Sequence, residues 1–219
     1  MVPQRIVIIG ASGFAREVRW LLEEINRSRD TFRFLGYVVS DLARLGEHDS
    51  HGDILGDYEW LERHCDEVDA IAIGIGTPAA RLTVSSDLLR TFPTLECPAL
   101  VHPTVRLDNH SSRIGQGVLL CAGTIGTVNI HLEDFSLVNL ACTLGHECSI
   151  GRGTVLNPTV NISGGVRLDP GVLVGTGAQV LQYLTVGTGA TVGAGSVVTK
   201  NVEPGVTVIG IPAKPLQRH

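Results

Sequence analysis

Aliphatic residues recur every six positions through the second half of this chain. Ile150, Leu156, Ile162, Leu168, Val174, Val180, Val186, Val192 and Val198 keep the step without an insertion. The frame runs back through Leu144, Val138 and Leu132, breaks at Gly126, and resumes at Leu120 and Ile114. One extra residue then separates it from Leu107 and Val101. Four positions after each aliphatic residue comes a small or apolar one, as at Thr154, Val160, Val166, Val172, Ala178 and Ala190, and the residue directly after is often Gly, Asp or Asn. A helix repeats about every 3.6 residues and a strand about every two, so neither makes this step. A solenoid does. The pattern predicts a parallel β-helix in which each hexad supplies one short flat strand and one turn, with both recurrent positions inward and glycine easing the turn geometry.

Composition agrees with backbone stacking. The chain has 26 glycines in 219 residues but one methionine and five phenylalanines, too few bulky side chains for a conventional core throughout. A net charge of -5 without a basic block excludes nucleic acid and anionic membrane surfaces as expected partners. The apolar run at the N-terminus is too short to span a bilayer and lacks a signal-peptide pattern, so the cytoplasm is the expected compartment. Five cysteines without C-x-x-C spacing indicate neither a disulfide framework nor a zinc site, and no metal is expected.

Residues 1–96 have a different grammar. Strand-like runs (RIVIIG, FRFLGYVVS, VDAIAIGIG) alternate with helix-like segments from Gly13 to about Arg27 and from Pro78 to about Arg90. This predicts a small parallel α/β sheet, Rossmann-like, ahead of the β-helix of residues 97–219. The turn GASGF at Gly10 to Phe14 could face its amides to an anion at a helix N-terminus or be only a tight turn. A second glycine turn, IGIGTP, also ends a strand, where open α/β sheets place ligands.

Within the hexad LGHECS, the register sets Leu144 and Cys148 inward and His146 outward. A neutral imidazole removes a proton near pH 7, and an adjacent carboxylate such as Glu147 orients it if a turn brings the two together. Gly164 lies eighteen residues on, and a coil of that length sets it about 4.8 Å from His146. There it could let an acyl group approach and offer its N–H to an oxyanion, although Gly165 or simple turn relief are alternatives.

The tandem hexads, the opening IIGASG, VHPTV at Val101 to Val105, the stretch VNLACTLGHECSIG and the terminal GIPAK together resemble the hexapeptide-repeat sugar acetyltransferases with a left-handed β-helix. The resemblance is to the sialic acid O-acetyltransferase and bacterial nucleotide-amino-sugar N-acetyltransferase group. It implies acetyl transfer from acetyl-CoA to a sugar by a homotrimer, with His146 as general base, Glu147 supporting it and Gly164 facing the tetrahedral intermediate. It also implies donor contacts at Val155, Thr176 and Ala194, and acceptor contacts at Ser12, Gly13, Phe14, Ser40, Asp41, Gly76 and Asn139. Family members often carry a histidine where this chain has Phe14.

The amine of a nucleotide-linked amino sugar is the expected acceptor; O-acetylation of sialic acid or a related sugar is the alternative. A non-catalytic trimeric scaffold is the rival from another class, although a purely structural repeat has no use for an outward His-Glu pair. His131, fifteen residues before His146, is out of stacking register with it, and His48, His51, His64, His110 and His219 sit in polar or terminal contexts and read as surface residues.

Overall fold

The computed structural model describes residues 2–47 and 49–216; His48 and His219 lie outside the described residues. The N-terminal sheet is parallel, in the order β3-β2-β1-β4, with β1 at Gln4–Ile9, β2 at Phe32–Val38, β3 at Ile54–Gly56 and β4 at Ala70–Ile73. Helix α1 (Gly13–Ser28) crosses from β1 to β2 and buries Ala15, Val18, Leu21 and Leu22. Helix α3 (Pro78–Thr91) follows β4, and its first residue is a proline, whose missing N–H costs nothing there. The short strand β3 and the six-residue helix α2 (Tyr58–Arg63) were not anticipated, because neither is long enough to show a period.

From Leu100 onward the chain winds as a left-handed parallel β-helix of three sheets, each built from two- or three-residue strands. A first face includes Leu119–Leu120, Leu137–Val138, Val155–Leu156 and Leu173–Val174; a second includes Ile125–Gly126, Thr143–Leu144 and Asn161–Ile162; a third includes His131–Leu132, Ser149–Ile150 and Arg167–Leu168. The coil length is the expected one: Thr143 pairs with Asn161, Leu144 with Ile162 and Val155 with Leu173. Leu144, Cys148, Ile150, Leu156, Val160, Ile162 and their repeats form one buried column along the axis. The extra residue before Ile114 falls in a turn where the Asp108 carboxylate accepts from the amides of His110 and Ser111.

The two parts share a core. Outward residues of the first face, Leu100, Leu119, Leu137 and Val155, are buried against α1 and the sheet, together with Ile6, Ala15, Val18 and Leu22. Arg81 of α3 fastens the junction. Fully buried, it donates from Nε to Phe135 O (3.0 Å) and from Nη1 to Ile73 O (3.1 Å) and Ile75 O (2.8 Å). Burial pushes its guanidinium down to about 10, so it still carries its charge at neutral pH. It thereby ties the loop after β4 to a turn of the β-helix.

Candidate functional site

Two regions carry chemistry. The first is a cleft of about 400 Å³ outside the carboxyl ends of β1, β2 and β4, lined in part by Gly10, Ser12, Ser40, Asp41, Gly74 and Gly76. Chain order reverses between β1 and β4, so this is the switch point at which open parallel sheets bind ligands. Four of the expected acceptor positions, Ser12, Ser40, Asp41 and Gly76, line it. Ser12 is the N-cap of α1 and makes no side-chain cap, so that helix end faces the cleft uncapped. Asp41 accepts from Ala43 N at 2.9 Å and shapes the loop after β2. Gly13 opens α1 at the rim, and the Phe14 ring lies beside Gly76, where a Cβ would meet Phe14 Cγ at 3.7 Å.

The second region is the corner between the second and third faces. His146 and Glu147 occupy the turn joining Thr143–Leu144 to Ser149–Ile150. Glu147 has φ +61, and this left-handed residue swings its carboxylate to the same side as the imidazole, which a strand could not do. The turn is clamped from both sides: Glu147 N donates to Val128 O on the coil before (3.0 Å), and Gly165 N donates to His146 O from the coil after (2.8 Å). Glu147 Oε2 stands 3.7 Å from His146 Nδ1, with both side chains about half exposed (52% and 59%). A carboxylate at that nitrogen favours the tautomer protonated on Nδ1 and leaves the lone pair on Nε2.

Nε2 lies over Gly164. A Cβ built on that glycine would sit 2.4 Å from Nε2 and 2.5 Å from Cε1, so the imidazole occupies the space any side chain would need. Among the described residues no acceptor takes the Gly164 N–H, whereas its neighbour Gly165 is spent on His146 O. An imidazole nitrogen of the exposed His146 therefore covers Gly164, a buried glycine whose amide has no acceptor among the described residues.

Cys148, next to this pair in sequence, is not part of it. Its side chain points into the β-helix, fully buried, and burial pushes the thiol up to about 12. Cys97 and Cys142 are raised to about 11 and Cys121 to about 12, again by burial. At pH 8 a thiol near 12 is thiolate in only about one molecule in 10⁴. Iodoacetamide at pH 8 should therefore modify the native protein once, at exposed Cys65, and the urea-unfolded chain five times. Peptide mapping checks this, and native labelling of Cys148 would contradict the inward register.

The remaining expected positions sit elsewhere. Thr176 and Ala194 stack on successive coils at the corner between the first and second faces, both exposed. Asn139 adjoins the same corner, nearly buried, with its Oδ1 accepting from Leu140 N at 2.7 Å. Within one chain these three lie along the opposite edge of the second face from His146. Val155 requires a correction. It points outward on the first face, where the N-terminal sheet domain covers it completely, so it offers no surface to a donor. The available signal was the row Leu119, Leu137, Val155 and Leu173, apolar at outward positions eighteen residues apart, which marks a covered face. His131 lies on the third face, paired with Ser149, and His102 is buried against Trp20. Among the described residues no group of three His, Cys, Asp or Glu could hold a metal ion, and no helix is long and apolar enough to cross a membrane.

Residues 5–88 match the family model of the PglD N-terminal domain. Among solved structures, WeeI from Acinetobacter baumannii AYE is 31% identical with a TM-score of 0.82, over 97% of this chain and 100% of that one. The acetyltransferase domain of PglB from Neisseria gonorrhoeae FA1090 is 28% identical, TM-score 0.84, over 97% and 100%. PerB from Caulobacter crescentus, in complex with CoA and GDP-perosamine, is 26% identical, TM-score 0.85, over 97% of each chain. No curated protein sequence matches the chain.

Proposed function

The chain belongs to the hexapeptide-repeat sugar acetyltransferases, and we propose that it transfers the acetyl group of acetyl-CoA to the amine of a nucleotide-linked amino sugar. The observation that carries this reading is the imidazole of His146 laid on Gly164, with a carboxylate at one nitrogen and a free amide beside the other. His146 Nε2 takes a proton from the acceptor amine as its nitrogen attacks the thioester carbonyl. The oxygen of the tetrahedral intermediate becomes negative and accepts from the Gly164 N–H. Collapse breaks the carbon–sulfur bond, and the imidazolium returns the proton to the departing CoA thiolate. Glu147 keeps the ring oriented through these steps.

The acceptor's nucleotide is assigned to the cleft at the ends of β1, β2 and β4, and this has a consequence for assembly. The N-terminal domain covers the first face, while His146 sits on the edge opposite that face. A sugar held in one chain's cleft is therefore turned away from the same chain's base. A homotrimer resolves this by setting one chain's His146 corner against its neighbour's Thr176 and Ala194 corner. Exposed Ile125 on the second face and Val128 at the His146 corner are apolar surface that such packing would cover.

The test is CoA thiol release by the purified protein with acetyl-CoA and UDP-, GDP-, dTDP- or CMP-linked amino sugars. One of these should support turnover and gain one acetyl group by mass. Release with free sialic acid and none of the amino sugars would overturn the assignment in favour of O-acetylation.

A further inference from the structure

The corner row that carries His146 has a gap in it. Val128 and Asn129 occupy the coil before His146 and Glu147, Gly164 and Gly165 the coil after, and Gln182 and Tyr183 the next. The two glycines project no side chain, so the surface beyond the imidazole is bare peptide. Tyr183 roofs it. Its amide donates to Gly164 O at 3.0 Å, and its ring lies on Gly165, where a Cβ would sit 2.3 Å from Tyr183 Cδ1 and 2.6 Å from Cε1. The imidazole thus rests on one glycine from the coil before, and the phenol rests on the other from the coil after.

Two further observations set this side chain apart. It is 70% exposed, although Val180 and Leu184 already supply the inward contacts of its hexad and the coil needs no phenol there. Its backbone has φ +60, in the left-handed region where a bulky side chain is strained, and the equivalent corner positions on the preceding coils are filled by Asn129, Glu147 and Gly165. A strained and exposed aromatic is thereby held over the one stretch of corner that lacks side chains.

We propose that Tyr183 is a donor-positioning residue, its ring walling the slot over Gly164 and Gly165 so that the thioester of acetyl-CoA is held with its carbonyl on the Gly164 N–H. This rests on the acetyl-CoA reading above. A group whose carbonyl reaches that amide lies between the imidazole and the phenol, and the group with such a carbonyl is the thioester. Its sulfur and the adjoining methylenes make favourable contact with an aromatic ring.

The test uses Tyr183→Ala, Tyr183→Phe and Tyr183→Gly, the last keeping the left-handed backbone free of strain should the alanine variant fold poorly. Steady-state kinetics with acetyl-CoA varied are paired with calorimetric titration of CoA. Losing an aromatic contact worth about 1.4 kcal/mol raises the acetyl-CoA KM and the CoA Kd about tenfold in the alanine and glycine variants. The acceptor KM should stay within about twofold, and phenylalanine should retain most of the affinity. An unchanged CoA Kd in the alanine and glycine variants, beside a wild-type protein that binds CoA, overturns the inference alone. A wild-type protein that binds no CoA overturns the acetyl-CoA reading, and the inference with it.

Discussion

His146→Gln lowers kcat for acetyl transfer by about 10²- to 10⁴-fold, the range a positioned general base contributes, with KM for both substrates nearly unchanged. Glutamine is close to the imidazole in size and keeps a polar group over Gly164, but it cannot take a proton near pH 7. The side chain is half exposed and sits on a turn held by backbone bonds from Val128 and Gly165, so the substitution should leave the fold intact. Thiol release measured alongside thermal unfolding separates the two effects. Full activity in the variant would remove His146 as the base and leave the His-Glu turn as surface.

The same variant examines assembly. Gly76→Trp fills the cleft and should be inactive through loss of acceptor binding, although its own His146 is intact. If each site joins the cleft of one subunit to the base of another, mixed trimers of the two variants contain sites with both parts sound, and some activity returns on co-expression. Two variants that stay inactive together would place cleft and base in one chain, against the arrangement of its faces.

The β-helix was legible in the sequence because its inward positions are read at fixed spacing. Leu144 pairing with Ile162 is the eighteen-residue coil itself, and nothing else in the chain has to be known to find it. The identity of the covered face was harder, since the hexad separates inward from outward but does not say which outward face meets another domain. Leu119, Leu137, Val155 and Leu173 carried that information as apolar residues in the outward slot, and Val155 is fully buried as a result. The pairing of His146 with Glu147 was legible only as a possibility. Alternation along a strand would have parted them, and the left-handed φ at Glu147, a backbone property that no side-chain pattern encodes, brings them together. The sheet domain was found from its three longer strands and two longer helices, whereas Ile54–Gly56 and Tyr58–Arg63 are too short for periodicity to register.

Gly164→Ala should cost nearly as much activity as removing the base, without touching a titratable group. The added methyl would lie 2.4 Å from His146 Nε2, 2.5 Å from Cε1 and 2.8 Å from Cδ2, all far inside contact distance, so the ring must leave its place. His146 is exposed and can rotate outward, so the cost falls on catalysis and only slightly on stability. A base displaced by about 1 Å from its productive position loses on the order of 10²-fold in rate. The methyl also crowds the approach of a carbonyl to the Gly164 N–H, and an oxyanion donor is worth about 10²- to 10³-fold on its own. Because the variant keeps its imidazole, it differs from His146→Gln in one measurable way: acetyl-CoA should bind more weakly, since the thioester carbonyl can no longer settle on the amide. A Gly164→Ala protein with wild-type kcat and wild-type KM for acetyl-CoA would show that this glycine serves the turn alone. Gly189→Ala provides a stringent comparison, because that turn glycine has nothing within 4 Å of the added methyl but a left-handed φ of +67, whereas Gly164 lies outside the left-handed region. It should cost the coil backbone strain that Gly164→Ala does not, and still leave the rate unchanged.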